Sequence, residues 1–330
     1  MKKVLSLTLA LLMVLAMAVA VHAEGGKDIS EYTVVMIVKQ SDPWFDDMEM
    51  GVNQLASDTG LNCYVLTPES GDPALQIGIM EDLISQGVDA ICCVPNDPEA
   101  LIPTIQKARE AGITVVTHEA PGIAESVDLD VEAFINAEFG ALMGEAIVKA
   151  TDGKGQYAGF VGGLTMDTHM AWYNAACEYI AENAPEMTNV ASEPYEDKNS
   201  IEGAYDKTIE LLKAYPDLTA IFDCSAHGGG IAQAIKDKGR TDIKVISLAI
   251  PSMSATYIKD GSMVHGQAWR PADAGYATCY AAYLLASGQG VETGTNLGIT
   301  GYESVNVEGN IAYGYAPLVF TADNIDDYAF

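Results

Sequence analysis

Several short groups of polar and aromatic side chains follow apolar runs in this chain, and their types suit recognition of a polar small molecule. Lys39, Trp44 and Phe45 follow TVVMIV, His118 and Glu119 follow ITVVT, and Asp167, Thr168 and His169 follow YAGFVGG. Ser225 and His227 come after AIFDC, and Trp269 with Arg270 after MVHGQA. Flat rings cover the C–H faces of a polyhydroxylated ligand while Lys, Arg, Glu and Ser pair with its hydroxyls. Catalysis has less to rest on. His227-Gly228-Gly229-Gly230 has the form of an esterase oxyanion hole, yet the G-x-S-x-G elbow that must accompany it is absent, so a tight strand-to-helix turn is expected there. No G-x-G-x-x-G follows the first strand, and neither a P-loop nor HExxH occurs. The histidines show no i, i+4 or short-loop ligand pair. Neither a metal, a cofactor nor an enzymatic activity is expected.

Elements that place such groups at strand ends are legible as alternating apolar runs and helices, the pattern of βαβ units with parallel sheets. Strands are expected at 33–38, 61–66, 89–94 and 113–117, then at 156–162, 189–194, 219–223, 243–248 and 263–270. Asp42-Pro43, Asp72-Pro73 and Asp97-Pro98 open helices, with Asp capping free amides and Pro supplying the first helical φ. Gly60, Gly87 and Gly112 close them. Carboxyl ends of parallel strands share one edge, so two lobes meeting there enclose the polar groups. PADAGYATCYAAYLLASG reads as a helix packed on a lobe, because apolar residues occupy nearly every face.

Composition narrows the class. The chain has 330 residues, 49% of them hydrophobic, with 17 basic against 46 acidic residues. Its formal charge of −29 disfavours a nucleic-acid partner, since phosphate binding gains affinity from Lys and Arg. Residues 1–23 read as a cleavable signal peptide: Lys2 and Lys3 precede an apolar run from Val4 to Val21, and Val21-His22-Ala23 resembles a cleavage site. No lipid-attachment cysteine precedes Cys63, so a periplasmic or secreted product is expected. Of the six cysteines, Cys63, Cys92, Cys93, Cys177 and Cys279 sit within apolar patterns, which favours buried thiols over a disulfide.

From KQSDPWF through EDLISQGVDAICCVPNDPEALIPTIQKAREAGITVVT to VFTADNIDDYAF, the chain resembles the type I periplasmic sugar-binding proteins of ABC transporters. Within them it is most similar to the rhamnose- and autoinducer-2-binding branch. The resemblance implies an α/β fold of two Rossmann-like lobes with parallel sheets, joined by a three-crossover hinge. The corresponding partition is 31–130 plus 270–291 for the N-terminal lobe and 131–269 plus 292–330 for the C-terminal lobe. It implies hinge closure on a ligand and delivery to an ABC transporter permease, and a monomer is expected. Residue by residue, the branch's lysine falls on Lys39 and its first aspartate on Glu119. Its Asp-Gln pair falls on Thr168-His169, or with a one-residue slip on Asp167-Thr168. Its proline and alanine fall on Cys224 and Ala226, and its tryptophan on Trp269.

The ligand expected is a sugar, deoxysugar or sugar acid, the last because Lys39, Arg270 and the histidines suggest a basic cleft. A sensory protein presenting an autoinducer-2-like signal to a receptor is the alternative. A hydrolase would rest on HGGG alone, and the repressors that share this architecture begin with a basic helix-turn-helix, which is absent here.

Overall fold

The computed structural model describes residues 27–328 and 330. The expected signal peptide, residues 1–23, lies outside them. The first half alternates β1 (Thr33–Ile37), α1 (Pro43–Thr59), β2 (Asn62–Leu66), α2 (Pro73–Gln86), β3 (Ala90–Cys93), α3 (Pro98–Glu110), β4 (Thr114–His118) and β5 (Leu129–Glu132). The second half repeats the plan with α4 (Asn136–Thr151), β6 (Gly155–Val161), α5 (Asp167–Asn183), β7 (Met187–Asn189), β8 (Tyr195–Glu196) and α6 (Ile201–Ala214). It continues with β9 (Leu218–Asp223), α7 (Gly228–Asp237), β10 (Lys244–Leu248), α8 (Pro251–Lys259), β11 (His265–Ala268) and α9 (Pro271–Ala286). Three short strands close the chain: β12 (Asn306–Glu308), β13 (Ile311–Tyr313) and β14 (Leu318–Phe320).

The strands form two sheets, ordered β12-β13-β5-β4-β3-β1-β2 and β14-β11-β10-β9-β6-β7, with β8 also on β6. All pairings are parallel except β12 with β13 and β11 with β14. This is the expected α/β architecture of two lobes, and the chain passes between them at 133–135, 269–270 and 314–317.

Local chemistry accounts for the elements. Asp42, Asp72 and Asp97 each accept a backbone amide, from Phe45, Ala74 and Ala100, and Pro follows each at the first helical position. Alternation along β3 sends Cys92 into the core beneath α9 and Cys93 into the one beneath α2 and α3. Both are free thiols, as are the other four cysteines. Helix α9 lies against α1, where Gly51 and Gly275 let the backbones meet. A Cβ at Gly51 would stand 1.8 Å from the Ala272 carbonyl oxygen.

Two expectations differ. The run 189–194 is not a strand: β7 ends at Asn189, whose side chain accepts the Ala191 amide and turns the chain, and β8 begins only at Tyr195. Residues 292–330 do not all join the second lobe. The β12–β13 hairpin adds to β5 in the first sheet, with Ala312 opposite Val131, and only β14 joins the second. The crossover correspondingly follows Glu132 rather than Asp130.

Candidate ligand-binding cleft

The first lobe contributes an ion pair held at two strand ends. Buried Gln76 donates from Nε2 to the carbonyls of Val38 and Val94, tying the ends of β1 and β3, and Asn96 donates to the Lys39 carbonyl. Lys39 Nζ lies 2.6 Å from Glu119 Oε2. Glu119 follows β4 with φ 60°, in the left-handed region that a Cβ disfavours. Burial pushes its carboxyl up, but Lys39 and His118 outweigh this and hold it below the usual range. His118 Nδ1 stands 2.6 Å from the Val131 carbonyl, which only accepts, so Nδ1 carries the hydrogen. Its Nε2 is buried without a hydrogen-bond partner among the described residues, 3.8 Å from Glu119 Oε1.

Aromatic rings fill the seam between the lobes. Trp269, in the second crossover, meets Trp44 edge-on at 4.8 Å, Phe134 of the first crossover at 5.3 Å, Trp172 at 5.7 Å and His118 at 6.1 Å. Trp172 Nε1 donates to Asn136 Oδ1 at 2.6 Å, whereas Trp269 Nε1 is buried without a partner among the described residues. Behind the seam, Asp130 and Glu132 share one face of β5, and burial pushes both carboxyls up.

The second lobe supplies histidines and buried acids. His169 Nδ1 accepts the Gly162 amide, and its ring lies 5.5 Å from that of Trp172. Burial and the facing Lys39 push His169 down to about 3, so it is neutral. Asp197 and Asp223, both inaccessible to solvent, converge on Ser225. Burial and the Asp223 charge push Asp197 up to about 7. Ala226 follows with φ 69°, and His227 opens α7, its ring pushed down by burial. The HGGG glycines serve packing: Cβ atoms at Gly228 and Gly230 would lie 2.4 Å from Ser247 Oγ and 2.3 Å from the Ile201 carbonyl.

Among the expected site residues, Lys39, His118, Glu119, His169, Trp44 and Trp269 come together, with Ser225, Ala226 and His227 on the second-lobe wall. Thr168 is buried in the first turn of α5. Phe45 joins the large core. Asp167 is exposed and stands against Gly122 of the first lobe, where an added Cβ would come within 2.4 Å of Oδ2. Arg270 turns to Asp47 and Asp273, each 3.7 Å away, and lines a hinge crevice of about 330 Å³ with Glu303 and Tyr315. The basic cleft expected from Lys39 and Arg270 is therefore replaced by compensated charge, because both cations have carboxylate partners. Sequence reasoning missed Phe134, Trp172, Asp197 and Asp223. Asp223 alone carried a signal, an acid at the end of the apolar run LTAIFD.

Residues 33–290 match the model of the periplasmic binding protein domain. The ribose import binding protein of Bacillus subtilis is 25% identical, over 79% of this chain and 84% of its own length. The D-allose-binding periplasmic protein of Escherichia coli is 27% identical, over 74% of this chain and 81% of its own. A solved ABC-transporter solute-binding protein from Clostridium phytofermentas with bound L-rhamnose superposes with a TM-score of 0.79 at 24% identity, covering 90% of this chain and 98% of that one, and shares the fold. With two such sheets, three crossovers and a family match over most of its length, the chain belongs to the periplasmic binding protein domain family.

Proposed function

We propose that this protein is an exported, monomeric solute-binding protein that captures a neutral sugar or deoxysugar between its lobes and delivers it to an ABC importer. The observation that carries this reading is the composition of the seam. Aromatic rings from both lobes and the crossovers meet hydrogen-bonding groups whose charges are already compensated, as in the 2.6 Å Lys39–Glu119 pair. Compensated charge favours hydroxyls over a carboxylate, which would have to compete with Glu119 for Lys39. The ribose- and allose-binding relatives support the same ligand class. Lys39, Glu119, His118, Trp269 and Trp44 are assigned to the ligand from the first lobe and crossover, and Thr168, His169, Ser225, Ala226 and His227 from the second. Asp167 and Gly122 meet across the mouth, and hinge closure joins the two sets.

Thermal unfolding of the mature protein with D-ribose, D-allose, L-rhamnose, the corresponding sugar acids and autoinducer-2 tests the reading. A ligand that binds only the native state raises Tm with the logarithm of its excess over Kd. A shift with a neutral sugar, lost in Glu119→Gln, is expected. Shifts confined to sugar acids or to autoinducer-2 would overturn it.

A further inference from the structure

A single hydroxyl in the second-lobe wall has more acceptors around it than it can serve. Ser225 Oγ is hydrogen-bonded to Asp197 Oδ2, lies 2.6 Å from Asp223 Oδ1 and is 3.2 Å from His227 Nδ1. A serine hydroxyl has one hydrogen and two lone pairs. With both carboxylates ionised, one of them would face Oγ with no hydrogen between two electron-rich oxygens, in a place closed to water. Proton counting settles where the additional hydrogen belongs. Asp223 is occupied as an acceptor at both oxygens, Oδ1 by the Ser225 amide at 2.9 Å and Oδ2 by the His227 amide at 2.8 Å, while the Ser247 hydrogen goes to the Leu248 carbonyl. At Asp197, Oδ1 accepts the Asn199 amide at 2.9 Å, which leaves Oδ2 free to carry it. Asp197 Oδ2–H then donates to Ser225 Oγ, Ser225 donates to Asp223 Oδ1, and the second lone pair of Oγ accepts from His227 Nδ1.

We propose that Asp197 holds a proton in the working protein and, through Ser225, fixes the His227 ring in its Nδ1–H tautomer, so that Asp197 is a positioning residue for the cleft wall. This rests on the assignment of His227 to the sugar site. Under it, His227 Nε2 presents a lone pair to a ligand hydroxyl. The charged and titratable groups around the network are Asp223 and Cys224 at the end of β9, His227 at the start of α7, the exposed Lys198 beside Asp197, Asp42 from the first lobe, and His169, which faces Lys39 and Glu119. Of the neighbours of Asp197 in sequence, Glu196 is engaged with the Leu164 amide. The burial of Asp197 and the Asp223 carboxylate both favour keeping the proton.

Asparagine at 197 would supply the same two bonds as a protonated aspartate, with its carbonyl accepting the Asn199 amide and its NH₂ donating to Ser225. The test therefore compares wild type with Asp197→Asn and Ser225→Ala by NMR of ¹³C-aspartate and ¹⁵N-histidine protein without ligand. Expected is one carboxyl that titrates near 7 and vanishes in Asp197→Asn, accompanied in wild type over the same pH range by a move of the His227 ring resonances, with Nδ1–H kept, as the two ionised acids part around the one Ser225 hydrogen. Asp197→Asn should keep the Nδ1–H pattern at every pH, and Ser225→Ala should lose it while still folded. A carboxyl at 197 that titrates in the ordinary range near pH 4, or a wild-type His227 that lacks the Nδ1–H pattern, overturns the proposal whether or not any sugar binds. For the D-ribose, D-allose or L-rhamnose that shifts Tm, wild-type affinity should fall up to about tenfold per pH unit above about 7, while Asp197→Asn stays flat. An equal slope in both proteins counts against the positioning role and leaves the sugar reading standing. No binding by any sugar removes that reading and leaves the proton assignment to the spectra.

Discussion

The two walls of the cleft start from the same backbone device and reach opposite electrostatic solutions. In the first lobe Glu119 follows β4 with φ 60°, and in the second Ala226 occupies the like place after β9 with φ 69°. A side chain in that region costs on the order of 1–2 kcal/mol, so both turns hold their shape against a local preference. The first wall then meets its carboxylate with a cation, Lys39 at 2.6 Å. The second buries two acids on one hydroxyl, with no lysine or arginine among the described residues bonded to either. Acidity in one wall is neutralised by a partner and in the other by a proton. Ligand-facing surfaces of similar geometry can thus respond to pH with opposite sign.

The seam joining the walls should give the largest effect when broken. Trp269→Ala removes a ring that borders Trp44, Phe134, Phe139, Trp172 and His118. A loss of about 3–5 kcal/mol is expected in urea unfolding. A loss below about 1 kcal/mol would mean that the seam closes over the gap and that the walls pack independently.

Next comes the ion pair. Lys39→Met leaves the Glu119 carboxylate mostly buried and alone, which costs about 2 kcal/mol, less than a fully buried pair because the lysine side chain is 30% exposed. Adding Glu119→Gln should restore most of that, since an amide pays far less for burial than an unpaired charge. Denaturation of both variants decides it. If the double variant is no more stable than the single, the pair contributes through its packing rather than its charge.

The pH dependence of stability compares the walls directly. Glu119 is held below its ordinary value, so its contribution is full above that value and is lost as pH falls through its folded pKa. Asp197, raised from about 4 to about 7, works the other way: the folded state holds a proton that the unfolded chain has released, and stability declines as pH rises across that window. His169, lowered to about 3, adds a contribution present above about 6.5 and lost as pH falls from there. Because the Asp197 and His169 contributions oppose each other between about 4 and 6.5, Asp197→Asn, measured at several pH values, should turn a nearly level profile into one that rises with pH there, and Glu119→Gln should not. The reverse pattern would exchange the roles given to the two walls.

How much of this was legible in the sequence follows the range of the interactions. The Asp-Pro helix starts, the buried strands and the lobe plan are written within a few residues of each other, and 33–37, 90–93 and 244–248 fall where expected. The first wall was nearly complete, because Lys39, His118 and Glu119 all sit immediately after or at the end of apolar strands. Asp197 was not, since it lies in a loop and acquires its meaning from Asp223, 26 positions away, and from the one hydroxyl between them. Arg270 misled for the same reason: its partner Asp47 is distant in sequence, and only α1 packed on α9 brings them together. The β12–β13 hairpin was assigned to the other lobe because strands of three residues carry too little pattern to choose a sheet.

The smallest expected effect lies where the walls meet at the mouth. An alanine Cβ at Gly122 would stand 2.4 Å from Asp167 Oδ2, the far end of an exposed side chain that can rotate away, so stability should change by no more than about 0.5 kcal/mol. Closure is another matter, since the added methyl sits between the lobes. Scattering of Gly122→Ala with a saturating neutral sugar should show the same compact form as wild type if Asp167 gives way, and the sugar's Kd should rise less than about threefold. A tenfold rise with unchanged stability would instead show that the contact between Gly122 and Asp167 sets how tightly the walls approach.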